Sequence, residues 1–469
     1  MKKLVSLLIS TVLVLSMAGC ADTAVTTDAT TKAAADATTA AEATTAAEET
    51  EAASTEGKVF NIYCWNTEFQ DRYTEYFEAE GLIPEGVTVN WIITPSDDLA
   101  YQNKLDETLL AQATLSDDEK IDLFLIEADY ALKYVDSEYT VDVINDVGLT
   151  EADVAGQYQY TKDIVTDSNG VLKGVSWQAC PGGFIYRRSI AKDILGTDDP
   201  EAVQAAISDW AKFDTVAKSA KEKGYFMLSG FDDAFRVFSN NMSSPWVDDS
   251  GKIVIDPSIE AWIEQTKTYT ENGYNNKANL WSAESFAGAA LDGKVLGYFG
   301  PGWFLDFCLM PATLADAEAT AEVGNGSYGD WAIVKGPQGF FWGGTWICAA
   351  AGSDNLGLTK DIMLKLTCDT ETLVAITNKF GDFTNNVAAM EEIANSDYGH
   401  PFLGGQNHIS VLLDSAQSID MSNISSYDQG MTEKFQLAFM DYFNEIVTKD
   451  EAYENFYKSI LEQYPNLTK

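Results

Sequence analysis

Histidine is nearly missing from this chain: His400 and His408 are its two copies. A zinc site or a Ser-His-Asp triad would have to rest on them. They stand among Pro, Gly and Asn with no HExxH pattern, which reads as two loop histidines without a chemical role. Basic residues are scarce as well. Lys and Arg number 30 against 72 Asp and Glu, a formal net charge of -42. Nucleic-acid binding needs clustered cations to displace phosphate counterions, so it is excluded. Electrostatic adhesion to anionic lipid is excluded for the same reason, whereas a neutral ligand is compatible with this charge. No CxxC spacing occurs. Cys64, Cys180, Cys308, Cys348 and Cys368 each sit among apolar or small residues, as buried free thiols acting as small hydrophobes do. Gly288 to Lys294 matches a phosphate loop only in part. Val295 replaces the required Ser or Thr, and a helix precedes where a strand is needed. Asp167–Gly170 and Asp248–Gly251 lack the later bidentate Glu of a calcium loop and read as hairpin turns. Neither a metal nor a cofactor is expected.

What is present begins at the amino terminus. Lys2 and Lys3 precede an apolar run from Leu4 to Leu15, and the segment closes on Met17-Ala18-Gly19-Cys20. A Cys after two small residues at the end of such a core is a lipoprotein cleavage signal, its thiol receiving the diacylglycerol thioether. The run is shorter than the ~20 residues a spanning helix needs. Residues 1–19 are therefore expected to be removed, leaving Cys20 lipidated on the outer face of the cytoplasmic membrane. Residues 20–57 are almost entirely Ala, Thr, Asp and Glu, with Val25 as the one large apolar side chain. Such a segment buries too little surface to offset its ordering entropy and reads as an extended, disordered tether.

From about Lys58 to Lys469 the chain alternates strands and helices and is long enough for two lobes. Val59–Trp65, Val87–Ile93 and Ile121–Ile126 read as strands, with helices over Arg72–Glu80 and Leu99–Ala113 between them. This order predicts parallel pairing in an α/β sheet. Helices follow over 200–224 and 257–272, strands over 294–299 and 330–334, and a helical end over 359–379, 387–395 and 432–464.

Aromatic residues make up 12% of the chain, and several Trp stand at strand ends beside Gly, Pro and polar groups. Trp65 precedes Asn66-Thr67-Glu68. Trp177-Gln178 precedes Pro181-Gly182-Gly183. Trp303 follows Gly300-Pro301-Gly302, and Trp342 and Trp346 flank Gly343-Gly344-Thr345. Ligands of open α/β sheets collect outside the carboxyl ends of strands. Rigid flat faces there suit a ligand with patches of C–H and rims of hydroxyl, which is a sugar; packing of lobe against lobe or plugging of the core is the alternative. Glu127 and Asp129 follow the third strand. They suit either hydrogen bonding to sugar hydroxyls or, at ~5–10 Å separation, glycoside hydrolysis.

The lipobox, the first strand ending in Trp65, Asp122–Ile126 with Glu127, the Asn169–Val175 turn, Phe184–Arg188, Gly300–Trp303, and Trp331–Gln338 followed by Gly343-Gly344 occur in an order that resembles an extracellular solute-binding protein of a carbohydrate ABC transporter, the family-1 group that includes maltose-binding protein. Asn169 stands where Asp is commoner, and Gly302 interrupts the more usual Gly-Pro-Trp. The resemblance implies a two-lobed α/β fold of the type II periplasmic-binding-protein class with a hinge and an interlobe cleft. Residues 58–173 and 337–380 would form one lobe, 174–336 and 381–469 the other. It implies a monomer that binds a carbohydrate, delivers it to the permease subunits and catalyses nothing. The candidate ligand contacts are Trp65, Asn66, Glu68, Glu127, Asp129, Trp177, Phe231, Asp232, Trp303, Trp342, Trp346 and Asn385. A cell-surface glycoside hydrolase and a binding protein for peptides or polyamines remain open alternatives.

Overall fold

The structure is a computed structural model and describes residues 57–469. The signal segment, the lipidation site at Cys20 and the tether lie outside the described residues, except for Gly57.

Strand β1 (Val59–Cys64) is buried over its whole length beyond Val59. It lies between β2 (Thr88–Ile93) and β3 (Leu123–Glu127), parallel to both. Buried polar groups on this sheet are partnered, as burial demands. Asp122 accepts hydrogen bonds from Asn61 N at 2.8 Å, Ser353 Oγ at 2.6 Å and Asn355 Nδ2 at 3.0 Å. Tyr101, on the helix Ala100–Ala111, donates its hydroxyl toward the carbonyls of Tyr63 and Leu125. That fixes the carboxyl ends of β1 and β3 side by side, next to Trp65, whose ring meets Tyr101 edge-on at 5.4 Å.

The chain then crosses into a second sheet. Short β4 (Gly174–Val175) leads to β5 (Pro181–Arg187), followed by β6 (Leu228–Gly230), β7 (Asn275–Ala278), β8 (Gly297–Pro301), β9 (Trp331–Val334) and β10 (Phe340–Phe341). Strand β5 is central to this four-stranded sheet and runs antiparallel to β8, β9 and β10; β6 and β7 form a separate two-stranded parallel sheet. From β10 the chain returns through three residues to β11 (Thr345–Ala349). This strand pairs antiparallel with β3 and β4, giving the order β2-β1-β3-β11-β4. Parallel pairing, expected throughout, therefore holds for the first three strands and for β6–β7. Elsewhere a strand arriving by a direct crossing enters from the opposite end, and antiparallel neighbours need no crossover helix.

Two segments pass between the sheets, 176–180 and 342–344, and a third, 381–386, links the helices Thr370–Phe380 and Val387–Ala394. The first and third are tied together by Ala179 N to Phe383 O at 3.0 Å and Asn385 N to Trp177 O at 2.8 Å.

Several expected helices are interrupted: 200–224 forms Pro200–Ala206 and Trp210–Glu222, and 359–379 forms Leu356–Met363 and Thr370–Phe380 on either side of a π-type turn. The helix expected over Arg72–Glu80 begins at Glu68 and passes into a wider π-type turn over Thr74–Glu78. The terminal stretch is two helices, Asp428–Phe443 and Lys449–Gln463, broken where Glu445 takes a φ of 62° and restarted by a Thr448/Glu451 capping box. Both hairpin turns form, with Gly170 and Gly251 each at a φ of 80°. The histidines are not plain loop residues. His408 is fully buried at the start of the helix His408–Ala416, and burial pushes its pKa down to about 3. His400 Nε2 lies 2.9 Å from Asp306 Oδ1. All five cysteines among the described residues are free; Cys64, Cys180 and Cys348 are buried, Cys308 and Cys368 half-buried.

Candidate functional site

The carboxyl ends of β1 and β3 and the start of β11 form one wall of a cavity of about 610 Å³. That is within the roughly 300–1,000 Å³ range of small-molecule sites. Trp65 and Asn66 leave β1. The Asn66 side-chain oxygen accepts Glu68 N at 3.0 Å, which turns the chain into the helix Glu68–Tyr73 and presents Glu68 and Asp71 to the cavity. Glu127 ends β3 opposite Thr345, and its carboxylate accepts Asp129 N at 2.9 Å.

The facing wall is aromatic. Trp281 lies just past β7, Trp303 just past β8, and Phe307 one turn beyond Trp303. Trp342 comes from the β10–β11 connection. The rings of Trp281 and Trp303 stack at 6.4 Å with 18° between planes, and Trp303 meets Trp342 edge-on at 5.0 Å. Trp303 Nε1 donates to the Trp342 carbonyl at 2.9 Å. The following residue must be glycine: Gly343 has a φ of 72°, and a Cβ there would lie 3.0 Å from Trp303 Nε1.

The electrostatics of the two walls differ. Burial raises the Glu127 carboxyl above the usual carboxylate range, with the nearby Asp129 charge adding and Arg236 opposing. Burial raises Glu68 likewise; Asp382 adds to the shift and Arg72 opposes it. Gln178 Nε2 donates to Glu68 at 2.5 Å, and Arg72 grips Asp382 through Nε at 3.0 Å and Nη2 at 2.7 Å. Carboxyls poised near neutrality can donate to or accept from a hydroxyl. Arg236, on the helix Phe235–Ser239, reaches across to form a two-pronged ion pair with Asp129. A separate void of about 60 Å³ adjoins this pair, with Tyr130, Met242 and Asp428 among its lining residues.

Seven of the twelve candidate residues line the cavity: Trp65, Asn66, Glu68, Glu127, Asp129, Trp303 and Trp342. Five lie elsewhere. Trp346 alternates with cavity-facing Thr345 along β11, so its ring goes to the opposite, buried face, where Nε1 donates to Thr161 O at 2.9 Å. Trp177 is likewise buried beside cavity-facing Gln178, stacked on Phe69 at 5.2 Å. Phe231 stacks on Phe443 at 5.9 Å. Asp232 accepts Leu280 N at 3.2 Å, and burial raises its pKa to about 6. Asn385 is fully buried and pins the crossing segments, accepting Tyr158 N at 3.0 Å and donating to Ser176 O at 3.1 Å. Sequence reasoning missed Asp71, Gln178, Arg236, Trp281 and Phe307. Trp281 carries the signal used for the others, a Trp just after a strand beside a polar helix cap, Ser282. Arg236 carries none, since its partner is 107 residues away in sequence.

A sequence model described as bacterial extracellular solute-binding protein matches residues 72–398. No curated protein matches the sequence. Among solved structures, an extracellular solute-binding protein of family 1 aligns with a TM-score of 0.69 at 17% identity, covering 87% of this chain and 99% of that one. The sugar-binding protein MalE of Xanthomonas citri aligns with a TM-score of 0.66 at 13% identity, over 87% of this chain and 98% of that one. A binding protein associated with an ABC transporter of B. animalis subsp. lactis Bl-04, in complex with beta-1,6-galactobiose, aligns with a TM-score of 0.63 at 15% identity, over 88% and 99%. The fold is thus the two-lobed α/β arrangement of these proteins.

Proposed function

Because the chain belongs to the bacterial extracellular solute-binding protein family, we propose that it captures a sugar, an oligosaccharide, in the cleft between its two sheets and delivers it to the permease of an ABC transporter. The observation that carries this is the pairing of walls: Trp281, Trp303, Trp342 and Phe307 face Asn66, Glu68, Asp71, Glu127 and Asp129 across about 610 Å³. The aromatic faces take the C–H patches of a sugar ring; the polar wall takes its hydroxyls. The MalE-like neighbours, one of them holding a galactobiose, support the same reading.

In this proposal residues 58–173 and 337–380 act as one lobe and the remainder as the other. A ligand touching both favours closure by its differential affinity for the closed state. Closure buries the polar wall, so a saccharide with a misplaced hydroxyl leaves groups unpaired. The lipid on Cys20 keeps the protein at the outer membrane face, and the tether gives it reach. The protein binds without turnover.

A thermal-shift screen over mono- and oligosaccharides tests the proposal. A ligand binding only the folded state adds about 2.7 kcal/mol of stability at one hundred times its Kd. A screen in which no saccharide raises the melting temperature refutes the sugar reading. Binding that weakens steeply with ionic strength points instead to a polyamine or charged peptide. Hydrolysis beyond stoichiometry that vanishes in Glu127→Gln or Asp129→Asn makes the protein a glycosidase.

A further inference from the structure

Arg236 is the basic side chain among the residues that line the cavity, against Glu68, Asp71, Glu127 and Asp129. A guanidinium is the natural partner of an acidic ligand, because its planar fork matches a carboxylate bidentately. In this cleft the fork is already occupied. Nη1 donates to Asp129 Oδ1 at 2.6 Å and Nη2 donates to Asp129 Oδ2. The guanidinium also lies 5.7 Å from the ring centroid of Trp342. Asp129 comes from the turn Ala128–Tyr130 after β3 and Arg236 from the helix after β6, so the pair joins the two walls.

We infer that Asp129 is a charge filter: by occupying the fork of Arg236 it leaves the carboxylate of an acidic saccharide without a free cation among the residues that line the cavity, so the site takes uncharged saccharides and rejects uronate-bearing ones. This rests on the saccharide reading above. A uronate entering the cleft must either displace Asp129, stranding a half-buried carboxylate, or remain unpaired near Glu127 and Glu68. Both are unfavourable in a partly desolvated site. Glu127 stands next in line for the guanidinium. Its carboxylate is held by Asp129 N at 2.9 Å, and removing the Asp129 charge favours its ionisation beside Arg236. Release of Arg236 is therefore partial when Asp129 alone is neutralised and complete when both acids are.

The test uses cellobiose, maltose, mannobiose and galactobiose, each beside its uronic-acid-terminated counterpart, titrated calorimetrically into wild type, Asp129→Asn and Glu127→Gln/Asp129→Asn. Wild type should bind neutral members only. The double variant should gain affinity for a uronate by at least about tenfold, the worth of one charge-assisted pair. The gain should shrink with salt and vanish when Arg236→Gln is added. If the double variant melts below the assay temperature, Asp129→Asn alone carries the comparison, with a smaller gain. Wild type binding a uronate as tightly as its neutral partner overturns the inference while leaving the saccharide reading intact. So does a folded variant with no gain. No binding of any member to any of the proteins, together with a thermal-shift screen in which no saccharide binds, overturns both.

Discussion

Replacing Trp281 by Ala separates ligand contact from fold. Its side chain is 58% exposed although it stacks on Trp303. Of the ~250 Å² a Trp presents, roughly 145 Å² then faces the cavity and solvent. A sugar face covering about half of that, at ~25 cal/mol per Å², contributes about 1.8 kcal/mol. The expected loss is therefore about 20-fold in affinity, with a stability change within about 0.5 kcal/mol, as for other exposed substitutions. Trp303→Ala would not separate the two, because Trp303 is half-buried and its Nε1 holds the Trp342 carbonyl at 2.9 Å. The assay is titration calorimetry with the saccharide that gives the largest thermal shift, beside a urea melt of the same preparation. Affinity within twofold of wild type would refute the assignment of Trp281 to the sugar wall. A shift in the urea midpoint comparable to that of a core deletion would refute its independence from the fold.

Trp346→Ala should lower the urea midpoint by the equivalent of about 3–5 kcal/mol, since its ring is fully buried and its Nε1 bonds Thr161 O; a stable variant with lost binding would return Trp346 to the site. Gly343→Ala should weaken binding and lower the melting temperature together. The left-handed φ of 72° costs a residue with a Cβ roughly 1–2 kcal/mol, and the methyl presses on Trp303; unchanged melting and affinity would contradict this. Asp233 should make stability fall with rising pH. Burial, with Asp232 adding, pushes its pKa up to about 7 in the fold, against about 4 in the unfolded chain. Between those values the folded protein holds a proton the unfolded chain has released, so raising the pH favours unfolding. Asp233→Asn should flatten that limb, keeping an acceptor for Ser229 N and Gly230 N; parallel pH profiles of midpoint for the two proteins would refute the assignment.

Much of the architecture is written locally. Val59–Cys64 is apolar enough to be an interior strand, and Pro257–Asn272, capped by Asp256, forms over the residues its pattern predicts. Strand-end positions likewise placed Trp65, Asn66, Glu68, Glu127, Asp129, Trp303 and Trp342 at one cavity, because a residue leaving a strand at its carboxyl end has few places to go in this fold. What the sequence did not contain is direction and distance. Whether Trp346 or Thr345 faces the cleft depends on the register of β11 against β3, a choice of one residue that turns every side chain over. Antiparallel entry of β11 follows from the chain's return across the hinge, which no local pattern encodes. The pairing of Asp129 with Arg236, and the burial that raises Glu68 and Glu127, arise only when segments far apart in sequence close around a common volume. Composition, strand ends and the order of motifs therefore pointed to the kind of molecule, while the tertiary structure decided which face of each strand lines the cavity and which charges are already spent on one another.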